Sequence, residues 1–168
     1  MEASHSVFYP LITGKENPLL RQKSAPVTDF NREIQDFSDI LLELMYAYDG
    51  VGLSAPQLGE LIRVIAVTHW KQPPGSKQKA RIIGEYVMIN PEIIQHSEKK
   101  QINEEACLSL PKIFGKVERY DWIKVRYFDP KGNLHIKRIQ GFSAVVVQHE
   151  IDHLDGILFT DKILDSRF

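Results

Sequence analysis

Cysteine is nearly absent: Cys107 is the only one in 168 residues, so no intrachain disulfide can form. A lone thiol fits a reducing compartment and stays free for metal or nucleophilic chemistry, although the bland alternative is an inert, buried core cysteine. Long apolar runs are missing too, because charge interrupts every stretch before the ~18 to 20 residues that span a bilayer. Nor is there an excess of charge of either sign. With a formal net charge of −1 the chain offers no broad basic field for neutralising phosphates, which makes nucleic acid a poor candidate ligand. Met1 to Tyr9 has neither the basic and apolar regions of a secretory signal nor the arginines of a transit peptide, so a soluble, cytoplasmic protein is expected. Internal repeats and low-complexity tracts are also lacking. The length suits one hydrophobic core, hence one domain over 1–168.

What is present reads as alternating elements and breaks. Pro10, Gly14, Pro18 and Pro26 punctuate the first 28 residues and predict an irregular arm. From Phe30 to Asp49, Ile34, Phe37, Leu41, Leu44, Met45 and Tyr48 recur at helical spacing, with Asp29 as the expected N-cap and Gly50 as the expected C-cap. The β-branched run within Ile62–Trp70 and the segment Glu85–Ile94 predict strands, and Lys71–Lys79, centred on Pro73-Pro74, predicts an exposed loop. Asp121–Phe128 and Leu134–Ile139 flank the turn residues Asp129 to Asn133, the pattern of a β-hairpin. Ser143 to Asp155 predicts a second, largely buried helix closing on Gly156. Central strands between two helices indicate an α+β fold.

Chemistry concentrates at His149-Glu150-Ile151-Asp152-His153. In a helix, residues four apart share a face, so both imidazoles can bind one metal ion with Glu150 beside them. Such a motif can arise by chance, and its plain alternative is two core histidines and a solvated glutamate. Catalytic metal sites take three protein ligands and leave one position open, and Cys107 is a natural third ligand.

Three blocks occur in order: Gly50-Val51-Gly52-Leu53-Ser54-Ala55-Pro56-Gln57, Glu105-Ala106-Cys107-Leu108-Ser109, and Gln148-His149-Glu150-Ile151-Asp152-His153. Together they resemble the three signature motifs of peptide deformylases. The segment Pro18 to Val27 resembles the opening of those enzymes, so the likeness runs from about Pro18 to Asp161. It implies antiparallel or mixed sheets packed around a buried helix that carries the motif. It further implies an enzyme that removes the formyl group from N-formylmethionine at the start of new polypeptides. Cys107, His149 and His153 would hold one divalent metal, Fe²⁺ by family habit, with Zn²⁺, Ni²⁺ or Co²⁺ able to occupy the same ligands. Glu150 would move protons, while the Gln57 side chain and the Leu108 backbone N–H would face the oxyanion. Val51, Gly52, Phe142, Val145 and Val146 match positions that line the methionine pocket, whose plain alternative is core packing. Glu105 and Arg119 would form a partly buried pair bracing the strand of Cys107. Nascent N-formylmethionyl peptides are the implied partners, with any ribosome contact local and transient and no membrane involved.

The likeness has departures. Ala106 stands where the family usually has glycine, and an extended conformation is expected for it, since alanine is rarely kept at positive φ. Ser54 replaces a frequent alanine and is expected to be tolerated. The long C-terminal helix of some deformylases is not expected after the motif helix. Two other readings stay open: a zincin-type protease, against which Cys107 as third ligand argues, and a deformylase-like protein that binds peptide ends without catalysis.

Overall fold

The computed structural model describes residues 9–71 and 81–164. The centre of the loop expected over 71–79 and the residues before Tyr9 lie outside that description. In chain order come a 3₁₀ turn (Pro18–Arg21), helix α1 (Arg32–Ala47), strand β1 (Gly52–Ser54), a 3₁₀ turn (Ala55–Leu58) and strands β2 (Val64–Lys71) and β3 (Arg81–His96). Strands β4 (Lys100–Cys107), β5 (Leu110–Tyr120), β6 (Trp122–Phe128) and β7 (Leu134–Gln140) follow, then helix α2 (Phe142–Leu154) and a last 3₁₀ turn (Phe159–Lys162). One sheet has the order β1-β2-β3-β6-β7, β4 and β5 form a separate hairpin, and every pairing is antiparallel. No helix among the described residues is long and apolar enough to cross a membrane.

The period-two alternation of β2 sorts its side chains to two opposite cores. Val64 and Ala66 join Leu53 and Ile89 against Phe37, Leu41 and Met45 of α1. Ile65 and Val67 join Met88, Ile123, Val125 and Ile139 against Ala144, Val147, Ile151 and Leu154 of α2. The two helices therefore sit on opposite faces of the sheet. Because α2 also packs on β5, it is apolar or functional on nearly every side, as a helix covered all round must be.

Helix α1 starts two residues later than the sequence suggests. Its N-cap is Asn31, whose side chain accepts the Ile34 N–H at 3.1 Å, and not Asp29. At its other end Tyr48 is the C-cap and Asp49, not Gly50, takes the left-handed conformation at φ 55°. The Asp49 N–H reaches Tyr46 O at 3.0 Å and the Gly50 N–H reaches Met45 O at 2.9 Å, the paired bonds of a Schellman motif. Helix α2 closes the same way, with Gly156 at φ 72° and the Ile157 N–H on Asp152 O at 2.9 Å. A Cβ at Gly156 would strike the Arg21 carbonyl, so the N-terminal arm is seated against this turn. The arm also holds on through Asn90, whose side chain accepts the Val27 N–H and donates to Val27 O, both at 2.8 Å.

The β6–β7 hairpin forms as expected. Asp129 Oδ1 accepts the Lys131 N–H at 2.9 Å and the Asn133 N–H at 3.0 Å, which fixes the turn. The β4–β5 hairpin was not legible as a pair. Its inward face carries Glu105, Cys107, Val117 and Arg119, whereas Ile102 and Phe114 point outward and are exposed.

Candidate active site

Three elements converge under β1. Strand β4 ends at Cys107 beside a tight turn, α2 presents His149, Glu150 and His153, and the 3₁₀ turn after β1 carries Gln57. The ligand atoms of Cys107, His149 and His153 lie within 4.8 Å of one another, with Cys107 Sγ 3.3 Å from His153 Nε2. A thiolate with two imidazoles is a complete donor set for a transition metal that keeps one coordination position open.

The surroundings fit a cation. His149 Nδ1 lies 2.8 Å from Glu105 Oε2, and Glu105 in turn accepts from Arg119 Nε at 2.7 Å and from Nη2 at 2.9 Å. Burial works against the Glu105 carboxylate, but Arg119 and His149 outweigh it and hold its pKa at about 2. An ionised Glu105 fixes the proton on His149 Nδ1 and leaves Nε2 as the coordinating atom. Burial likewise opposes charge on His149, yet Cys107 and Glu105 push its pKa up to about 10. The anions around this imidazole thus prepare a place for positive charge, whether proton or metal. Burial, with His149 and Arg119 nearby, lowers His153 well below its ordinary value and keeps it neutral, the form that coordinates.

Glu150 is 4% exposed and its Oε2 has no hydrogen-bond partner. Burial raises its pKa to about 7, helped by Glu105 and Asp152 and opposed by His149 and Arg119. A carboxyl group balanced near neutrality can both take and return a proton. Gly52 makes room for it, since a Cβ there would lie 2.7 Å from Glu150 Oε1.

The Gln57 amide is held at both ends. Its Oε1 accepts the Ser54 N–H at 2.9 Å and the Ser54 hydroxyl at 3.0 Å. That leaves Nε2 to donate to Ser109 Oγ at 3.0 Å and toward Cys107 Sγ at 3.7 Å. A cavity of about 440 Å³ opens above, lined by Val51, Gly52, Gln57, Leu108, Phe142, Val145 and Val146 with Cys107, His149 and Glu150 at its polar end. Every site residue singled out in the sequence therefore lines this cavity, except His153, which lies behind it against Cys107. Ala106 is extended, lines the same cavity and is not among the positive-φ residues.

Four neighbours escaped the sequence reading. Ser54 does more than tolerate its position, because it orients Gln57. Ser109 accepts from the same amide. Asp152 receives Arg119 Nη1 at 2.5 Å, so the expected pair is a fully buried guanidinium between two carboxylates. Gln148 clamps α2 to β5 through Tyr120, accepting its N–H at 2.9 Å and donating to its carbonyl at 3.0 Å. Serines beside a glutamine, or an aspartate inside a metal motif, carry no periodic signal that would have marked them.

An apolar pocket ending in such a donor set, with an unpartnered carboxyl group and an oriented amide, belongs to the class of metal-dependent hydrolases. Comparison with known proteins narrows the class. The family model described as polypeptide deformylase matches residues 10–167, and the chain belongs to that family. It is 40% identical over 147 residues to the peptide deformylase of Brucella suis, covering 88% of this chain and 80% of that protein. It is also 40% identical over 151 residues to that of Thermotoga neapolitana, covering 90% and 85%. The crystal structure of peptide deformylase from Thermotoga maritima superposes with a TM-score of 0.82 at 36% identity, over 94% of this chain and 98% of that one. A class I type b peptide deformylase from Acinetobacter baumannii bound to Met-Ala-Ser gives 0.84 at 37% identity, over 94% and 99%.

Proposed function

We propose that this protein hydrolyses the formamide bond of N-formylmethionyl peptides, releasing formate and a free α-amine. The observation that carries the reading is the placement of Glu150, balanced near neutral pH, beside the Cys107, His149 and His153 donor set at the end of an apolar cavity. A divalent cation held by those residues, Fe²⁺ by family resemblance, supplies a Lewis acid that acidifies water and polarises the formyl carbonyl. Glu150 accepts the proton of the attacking water and returns it to the departing nitrogen as the C–N bond breaks. Gln57 Nε2 exchanges its long contact with Cys107 for the developing oxyanion, joined by the Leu108 N–H, and losing such a donor costs about 3 to 4 kcal/mol of barrier. Val51, Gly52, Phe142, Val145 and Val146 take the unbranched methionine side chain, an apolar match. Nascent chains in the cytoplasm are the substrates that bear this group.

Formate release from formyl-Met-Ala-Ser by protein purified without oxygen, with metal content measured on the same sample, tests the reading. Cys107→Ser and His153→Ala should lose most of the metal, whereas Glu150→Gln should keep it and lose turnover. Wild-type turnover in Glu150→Gln would remove Glu150 from the mechanism.

A further inference from the structure

Two exposed apolar residues form opposite lips of the cavity: Val51, 38% exposed, on the segment after α1, and Phe142, 42% exposed, at the start of α2. No hydrogen bond holds either side chain. Both are nevertheless tied to one residue outside the cavity lining, Trp70, near the end of β2. On one side the Trp70 indole meets Phe142 edge-on, with ring centroids 5.5 Å apart and planes at 77°. Its backbone N–H donates to Ser143 Oγ at 2.8 Å, and that hydroxyl returns a bond to Trp70 O at 3.3 Å. On the other side Trp70 Nε1 donates to Thr68 Oγ1 at 2.7 Å. Thr68 in turn gives its own hydroxyl proton to Val51 O at 2.7 Å and its N–H to the same carbonyl at 2.9 Å.

Each polar atom in this path has a partner of the right kind. The Thr68 hydroxyl has one proton and accepts one, and the indole N–H has a single use. Thr68 and Ser143 are 1% and 2% exposed, so water does not compete for these bonds. The separation of the two lips is consequently set by a rigid bicyclic ring with its ends fixed, rather than by contact between the lips.

We propose that Trp70 is a specificity-determining residue, a strut that fixes the gap between Val51 and Phe142 and so the width admitted for the substrate's N-terminal side chain. The proposal rests on the reading of that cavity as the methionine pocket. Removing the strut frees Phe142 to swing outward. Broader side chains then enter, and methionine loses the close fit that favours it.

The test compares formyl-Met-Ala-Ser with formyl-Phe-Ala-Ser on the metal-loaded protein. Trp70→Ala should lower the preference for methionine about tenfold or more, the scale of a few methylene-sized contacts, with most of the loss in KM rather than kcat. Trp70→Phe keeps a ring against Phe142 but has no N–H for Thr68, and Thr68→Val breaks the same path while preserving shape. Both should move the preference in the same direction by less, and they keep the test open if Trp70→Ala fails to fold. A preference unchanged within twofold in these variants overturns the strut, as does an equal fall in kcat for both peptides without a change in selectivity. A second measurement needs neither turnover nor a formyl group. In Trp122→Phe, Trp70 is the only tryptophan of the two in the chain, and titration with Met-Ala-Ser should change its emission saturably. Absence of that change overturns the proposal even where formate release is normal. A saturable change in a protein that releases no formate would retain the strut and reject deformylation instead.

Discussion

Gly52→Ala puts a methyl group where the site has no space for one. The new Cβ would lie 2.7 Å from Glu150 Oε1, 2.9 Å from Glu150 Cγ and 2.9 Å from Val146 Cγ1. Ordinary contacts between carbon atoms fall at about 3.5 to 4.0 Å, so the overlaps amount to roughly 0.6 to 1 Å. Strand β1 is pinned by its pairing with β2, and Val146 is held in the core, which leaves the Glu150 side chain to move. A displacement near 1 Å of a group that must meet both water and leaving nitrogen costs about 10²-fold in rate, or about 2.7 kcal/mol of barrier. Overpacking should lower stability by a further ~1 to 3 kcal/mol. The methyl group's nearest contacts include none of Cys107, His149 and His153, so bound metal should stay at the wild-type ratio. Steady-state kinetics with formyl-Met-Ala-Ser, metal analysis and urea denaturation on one preparation cover all three quantities. Full kcat in a metal-replete Gly52→Ala protein would refute the placement of Glu150 as the proton-transferring group.

The remaining predictions concern stability and the cleft. Burial opposes the Asp129 carboxylate, but hydrogen bonds from His135, Asn133 and Lys131 outweigh it and lower its pKa from 3.8 to about 2. A depressed folded-state pKa stabilises above the unfolded value and loses that contribution as pH falls from 3.8 toward about 2. Wild type should therefore exceed Asp129→Asn in urea midpoint at about pH 6, with the gap shrinking at about pH 3; a constant gap would reject the assignment. Truncating Glu105 or Arg119 alone leaves a buried charge unpaired and should cost about 3 to 5 kcal/mol. A double-mutant cycle should show strong coupling between them, and additive losses would refute it. Ala106→Gly should leave the denaturation midpoint level or slightly lower while changing peptide affinity, because Ala106 is extended at the cavity; a raised midpoint with unchanged kinetics would contradict this.

Much of this architecture could be read from pattern, and the parts that could not share a cause. Helix α1, strands β2 and β3 and the β6–β7 hairpin announce themselves because apolar residues repeat with the period of the element and end at turn chemistry. The β4–β5 hairpin inverts the rule. Its buried face holds Glu105 and Arg119, while Ile102, 58% exposed, and Phe114, 62% exposed, look outward. A pattern that equates apolar with inward cannot detect it. The ends of α1 failed for a smaller reason: Asp29 and Asn31 are both good caps, and only the side-chain bond to Ile34 decides between them. At the site, the metal-binding residues stood out because their spacing is itself chemical information. Ser54, Ser109 and Trp70 act through contacts between segments distant in sequence, and no local pattern records such a meeting.

The buried guanidinium of Arg119 also joins the chain's last described turn to the metal-binding helix. Lys162 Nζ reaches Asp152 at 2.8 Å, Asp152 reaches Arg119, Arg119 reaches Glu105, and Glu105 holds His149. Two processes that look separate, the seating of a terminal segment and the occupancy of a metal site, are consequently one linked equilibrium, and linkage is reciprocal. Whatever factor Lys162→Ala takes from metal affinity, loading the site with metal must return as protection of the segment 159–163, so amide exchange at the tail becomes a gauge of the charge state at the centre.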